Sequence, residues 1–110
     1  MEISVEQPKG NVRRIVLDGR LDVPGTQSVE AKFNAAVDGS SNVVVDLGKV
    51  PFVASVGIRM LVAGAQTVSK AGGHVVFVSP DEMTRKILKT TGIDQLVKVY
   101  GDLDSALASF

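Results

Sequence analysis

Val43-Val-Val-Asp-Leu-Gly-Lys-Val-Pro-Phe-Val-Ala-Ser-Val-Gly-Ile-Arg-Met-Leu-Val62 is the stretch from which the fold can be read. Val43, Val44, Val45 and Leu47 form a short, nearly continuous apolar run, mostly β-branched, which is the composition of a strand covered on both faces. After Gly48 to Pro51 the spacing changes. Ile58, Leu61, Val62, Ala65 and Val68 recur at the intervals of a helix laid against a sheet. Ser55 stands at the changeover, in the position expected of the helix N-cap, where its hydroxyl would accept a hydrogen bond from a backbone N–H two or three residues on. A structural cap and a hydroxyl presented for modification both fit that placement.

Upstream, Ile3, Val5 and Gln7 alternate with Ser4 and Glu6 as a half-exposed strand does, and Pro8-Lys-Gly-Asn11 supplies turn residues before a second strand, Val12 to Leu17. An antiparallel hairpin follows from that pattern. Asp18-Gly-Arg-Leu-Asp22 leads through Val23-Pro-Gly-Thr26 into a helix with Val29, Phe33, Ala36 and Val37 on its buried side, ended by Gly39-Ser-Ser-Asn42. Downstream, the helix after Ser55 runs to about Ala71 and stops at Gly72-Gly73, and Val75-Val-Phe-Val78 is a second fully apolar strand. Pro80-Asp-Glu opens a helix expected to carry Met83, Ile87 and Leu88 inward, with Gly92 as its stop. Val97 to Tyr100 fits a short edge strand, and Asp102 or Asp104 caps a last helix bearing Leu103, Ala106, Leu107 and Phe110. A hairpin followed by alternating helices and apolar strands implies a single α/β domain over residues 1–110: a mixed sheet, antiparallel at its N-terminal hairpin, parallel at its centre, with interspersed helices.

The 12 basic and 12 acidic residues of this 110-residue chain cancel, so no overall field draws in nucleic acid or an anionic membrane. Recognition is expected to be local. The absence of cysteine excludes disulfides, thiolate metal sites and thiol nucleophiles. Met1-Glu-Ile-Ser-Val-Glu begins a strand pattern rather than the basic and apolar blocks of a signal peptide, and no apolar run approaches a membrane span, so a cytoplasmic location without membrane insertion is expected.

Enzyme chemistry finds little to rest on. A hydrolase needs a nucleophile with a base in reach, and the single histidine, His74, follows two glycines at the mouth of a strand, as a loop or edge residue would. It cannot ligate a metal alone. Neither a phosphate-binding loop nor a dinucleotide fingerprint is present, so no nucleotide cofactor is expected. Arg13, Arg14 and Arg20, like Arg85, Lys86 and Lys89, have acidic neighbours and few aromatics for base stacking, and read as solvated faces. Asp46, near the end of the central strand, is suited to bonding loop N–H groups there.

Gly19-Arg-Leu-Asp22, Val43-Val-Val-Asp-Leu47, Phe52-Val-Ala-Ser-Val-Gly-Ile58 and Thr91-Gly-Ile-Asp-Gln-Leu96, in this order and spacing, resemble the STAS family of sulfate-transporter and anti-sigma-factor-antagonist domains. The likeness covers essentially the whole chain and is strongest to the small stand-alone bacterial anti-sigma-factor antagonists. It implies a mixed sheet with interspersed helices. It further implies a non-catalytic partner-switching regulator: a partner that is both anti-sigma factor and serine kinase phosphorylates the first serine of an Asp-Ser-Ser/Ala-Gly motif, and a dedicated phosphatase reverses the step. Residue by residue, that serine falls on Ser55 and the glycine on Gly57, while Ala54 stands in place of the aspartate and Val56 in place of the second small residue. Asp22 matches the family's aspartate in the neighbouring loop.

The resemblance thus names Ser55 as the phosphorylation site, with Asp22, Ala54, Val56 and Gly57 beside it as partner contacts. Arg59 joins them because it lies one helical turn beyond Ser55, near enough to swing toward a phosphate. Ala54 keeps a second reading open, a constitutive STAS subunit of a lipid-transporting ATPase without phosphoregulation.

Overall fold

The computed structural model describes residues 1–39 and 42–110; Ser40 and Ser41, within the predicted helix-ending segment, lie outside the described residues. Strands β1 (Glu2–Lys9), β2 (Val12–Asp18), β3 (Asn42–Lys49), β4 (His74–Val78) and β5 (Lys98–Tyr100) form one sheet in the order β1-β2-β3-β4-β5. β1 and β2 pair antiparallel, and every other pairing is parallel. The connections are α1 (Val23–Val37) between β2 and β3, α2 (Ser55–Lys70) between β3 and β4, and α3 (Glu82–Thr90) with a 3-10 turn (Ile93–Gln95) between β4 and β5. α4 (Leu103–Leu107) follows β5. Each parallel pair needs a helical crossover, and each predicted one is present.

Strand alternation divides the apolar side chains between two layers. Ile15, Leu17, Val43, Val45, Leu47, Val75 and Phe77 meet α1, α2 and α3 in the main core. Val12, Val44, Val76 and Val78 point the other way, where Ala106 of α4 covers them with Leu103, Leu107 and Phe110 at the border. α1 and α2 pack closely because Gly64 faces Phe33: a Cβ there would lie 2.5 Å from Phe33 Cε2. Together with Met60, Gly64 sits deeper in α2 than Ile58 and Val62, which are only half-buried.

Several expectations change. α1 starts at Val23, not after Thr26, because Asp22 caps it and Pro24 fits its first turn. Met83 is 69% exposed; Thr84 takes the inward position, its hydroxyl donating to the Val50 carbonyl at 2.8 Å in a fully buried contact. β1 is more exposed than its alternation implied, since it is an edge strand and Val5 remains 50% exposed. It runs through Pro8 to Lys9, leaving only Gly10 and Asn11 for the turn.

Arg13 and Arg14 are tied down rather than solvated, while Arg20 is exposed as expected. Arg14 donates to Asp46 Oδ2 from Nε (3.1 Å) and Nη2 (2.6 Å) and also pairs with Glu6, making a charged ladder across β1, β2 and β3. Burial pulls the Arg14 pKa down, but hydrogen bonds to Asp46 and Glu6 outweigh it and leave it raised. Arg13 donates to the Ala36 carbonyl at 2.7 Å. Asp46 also accepts from Gly48 N–H at 2.8 Å, the strand-end role expected of it. His74 is exposed at the start of β4, its ring edge-on to Phe110 at 5.1 Å.

Candidate functional site

The β2–β3 ladder becomes irregular between Val16 and Asp18. Past that point the two chains stay joined by Gly19 N–H to the Lys49 carbonyl (3.0 Å), Leu21 N–H to the Phe52 carbonyl (2.9 Å) and Ala54 N–H to the Leu21 carbonyl (2.8 Å), with a parallel bridge between Leu21 and Val53. Leu21 is fully buried and Val53 nearly so. This second junction sets the N-terminus of α1, after Asp22, beside the N-terminus of α2, after Ala54.

Gly57 makes the approach possible. A Cβ on it would stand 3.0 Å from Leu21 Cβ, 3.0 Å from the Leu21 carbonyl oxygen and 3.1 Å from Val53 Cγ1, so a side chain there fits only if these neighbours give way by a few tenths of an ångström. The motif glycine keeps this approach free of crowding.

On the first loop, Asp22 has extended backbone (φ −83°, ψ −172°) and accepts from Gly25 N–H at 2.8 Å. Arg20 lies over the Phe52 ring at 4.4 Å and 3.6 Å from Asp22 Oδ2, clasping the two loops from outside. Gly25 has no room for a side chain, since its Cβ would fall 2.0 Å from the Arg20 carbonyl oxygen. Arg20, Gly25 and Phe52 are parts of the site that pattern reading left without a role. The one available signal was Asp22-Val-Pro24, an N-cap followed by a first-turn proline.

Ser55 is not the N-cap of α2, contrary to expectation. Ala54 occupies that place with extended backbone (φ −85°, ψ 170°) and offers no capping side chain, so Ser55 is the first helical residue. The first intrahelical bond runs from Ile58 N–H to the Ala54 carbonyl, and the N–H groups of Ser55, Val56 and Gly57 have no partner among the described residues. Ser55 is exposed, and no hydrogen bond of its hydroxyl is found among the described residues.

The remaining predicted residues divide. Val56 is half-buried and, with Arg59, lines a shallow groove between α1 and α2 that also includes Glu30 and Asn34. Arg59 is exposed and makes no ion pair with a described residue. Asp22, Ala54, Ser55, Val56 and Gly57 therefore share one corner, with Arg59 one turn along the adjoining face. Among the described residues no three His, Asp or Glu side chains gather as a metal site, and no helix is long and apolar enough to cross a membrane.

A sheet of this order, with its glycine-dependent strand-to-helix corner, defines a class: a model of the STAS domain matches residues 2–106, and the chain belongs to that family. Among its relatives, the anti-sigma-F factor antagonist RsfB of Mycobacterium tuberculosis is 30% identical over 94 residues, spanning 83% of this chain and 75% of RsfB. The crystal structure of an anti-sigma factor antagonist from Mycobacterium paratuberculosis superimposes with a TM-score of 0.86 at 29% identity, covering 98% of this chain and 92% of that one. An anti-sigma-factor antagonist (STAS) domain protein from Planctomyces limnophilus gives 0.86 at 26% identity, covering 97% and 95%.

Proposed function

We propose that this chain is a non-catalytic anti-sigma-factor antagonist. It binds an anti-sigma factor that is also a serine kinase through Asp22, Ala54, Ser55, Val56, Gly57 and Arg59, and phosphorylation of Ser55 releases it until a cognate phosphatase restores the hydroxyl. The observation that carries the reading is the exposed Ser55 hydroxyl at the uncapped start of α2. The relatives named anti-sigma factor antagonists support the same partner class. It acts in the cytoplasm without touching nucleic acid.

Two energies make the switch work. A phosphate on Ser55 brings about 1.5 to 2 negative charges to the positive end of α2, where open N–H groups favour it by about 0.3–1 kcal/mol. The domain tolerates the group. Beneath a tightly packed or acidic partner surface, the same charge meets repulsion of up to about 4 kcal/mol for a close pair at an effective dielectric of about 20, while about 1.4 kcal/mol already changes affinity tenfold. Modification therefore dissociates the complex while the fold persists.

Incubation with the cognate kinase and ATP, followed by peptide mass spectrometry, is expected to find phosphate on Ser55. Phosphate elsewhere with Ser55 unmodified would overturn the assignment. Ala54 favours one other reading, a constitutive subunit of a lipid-transporting ATPase. In that case the partner copurifies equally with wild type and with Ser55→Asp.

A further inference from the structure

The basic residues of α3 are exposed, as expected, and share one concavity. Arg85, Lys86 and Lys89 of α3 and Lys98 of β5 line an open groove of about 600 Å³ together with Glu82 and Asp94. None of the four cations is within ion-pairing distance of a carboxylate among the described residues. In a chain of zero net charge this places a local excess of two positive charges in one concavity, four cations less two carboxylates. Like charges held together repel, and an anionic occupant relieves that repulsion.

The segment after α3 contributes residues to two features. Asp94, Lys98 and Val99 line the basic groove, whereas Ile93, Leu96 and Val97 line an apolar recess of about 130 Å³ against Val62 and Ala65 of α2. Leu96 stands 68% exposed at that recess. An apolar side chain entering there would cover a leucine the fold leaves in water.

We infer that the groove between α3 and β5 receives an acidic polypeptide segment of a partner protein, with one apolar side chain of that segment seated against Leu96. Charge complementarity selects an anionic occupant, and the mixed lining selects among anions. No aromatic side chain lines the groove, so bases have nothing to stack on. Glu82 and Asp94 interrupt the cationic track that an evenly charged phosphate backbone or lipid surface follows, whereas a polypeptide places its carboxylates selectively. This surface is separate from the Ser55 corner and does not depend on phosphorylation.

The test uses the isotope-labelled full chain and a short all-glutamate peptide carrying one central leucine, with oligodeoxythymidine and phosphatidylserine vesicles as parallel probes. Amide shifts on peptide addition are expected at residues 82–99, and binding is expected to weaken as salt rises. The paired substitution Lys89→Glu and Lys98→Glu is expected to lower the peptide affinity at least about tenfold. Shifts elsewhere, no shifts, or tighter binding of the oligonucleotide or the vesicles at these residues would overturn the proposal. So would unchanged affinity in the folded double variant; if that variant does not fold, the wild-type shift map decides.

Discussion

Two helix N-termini lie side by side at the corner, and they are finished differently. Asp22 and Ala54 share nearly the same extended backbone, yet Asp22 closes α1 with a carboxylate while Ala54 leaves α2 without a cap. In α1, Pro24 has no N–H to satisfy and Gly25 N–H is bonded to Asp22. In α2, the N–H groups of Ser55, Val56 and Gly57 all lack a partner among the described residues. Asp81 and Asp102 cap α3 and α4 in the same manner as Asp22, so α2 is the exception among the four described helices. Capping typically stabilises by about 1 kcal/mol. The domain forgoes that contribution at the one helix start where an exposed serine follows.

Disrupting the closed terminus should cost most. Gly25→Ala sets a methyl group against the Arg20 carbonyl and is expected to destabilise the domain by about 3 kcal/mol in urea unfolding. Asp22→Ala removes the cap and the exposed ion pair with Arg20, and should cost about 1 kcal/mol, read as a fall in Tm of about 4 °C. Ala54→Asp supplies the open terminus with the cap its backbone already accommodates, and a gain of about 0.5–1 kcal/mol is expected. No gain would mean that these N–H groups were already satisfied in solution.

The smallest effect belongs to the exposed Asp102 cap. Hydrogen bonds from Ser105 N–H and then the Ser105 hydroxyl lower its pKa below the ordinary 3.8. Because the folded value is the lower one, the stability Asp102 supplies is present above 3.8 and disappears as pH falls through that depressed value. Carboxylate titration followed by NMR should show a midpoint under 3.8.

The same contrast explains what pattern reading reaches. Val43–Leu47, Asp46 apart, and Val75–Val78 declare themselves as buried strands because their side chains are apolar on both faces. The Ser55 corner was legible because a strand run and a helical stripe meet there and because its motif resembles a family's. Placing the serine at the cap was wrong by one residue, since the cap position is defined by backbone angles and here carries an alanine. Contacts across the sheet leave no local trace: Arg14 and Asp46 are 32 residues apart, and only strand register brings them together. Likewise, apolarity favoured Met83 over Thr84, but the Thr84 hydroxyl finds the Val50 carbonyl and so tolerates burial. Nor could spacing reveal that Lys98 joins the α3 cations, because β5 reaches them only through the parallel pairing with β4.

Affinity of the unmodified and Ser55-phosphorylated chains for the proposed anti-sigma partner, with denaturant unfolding of both forms in parallel, tests the proposed switch most directly. The account predicts at least about a tenfold loss of affinity with stability changed by less than about 1 kcal/mol. Equal affinity, or a phosphorylated domain that no longer folds, would contradict it.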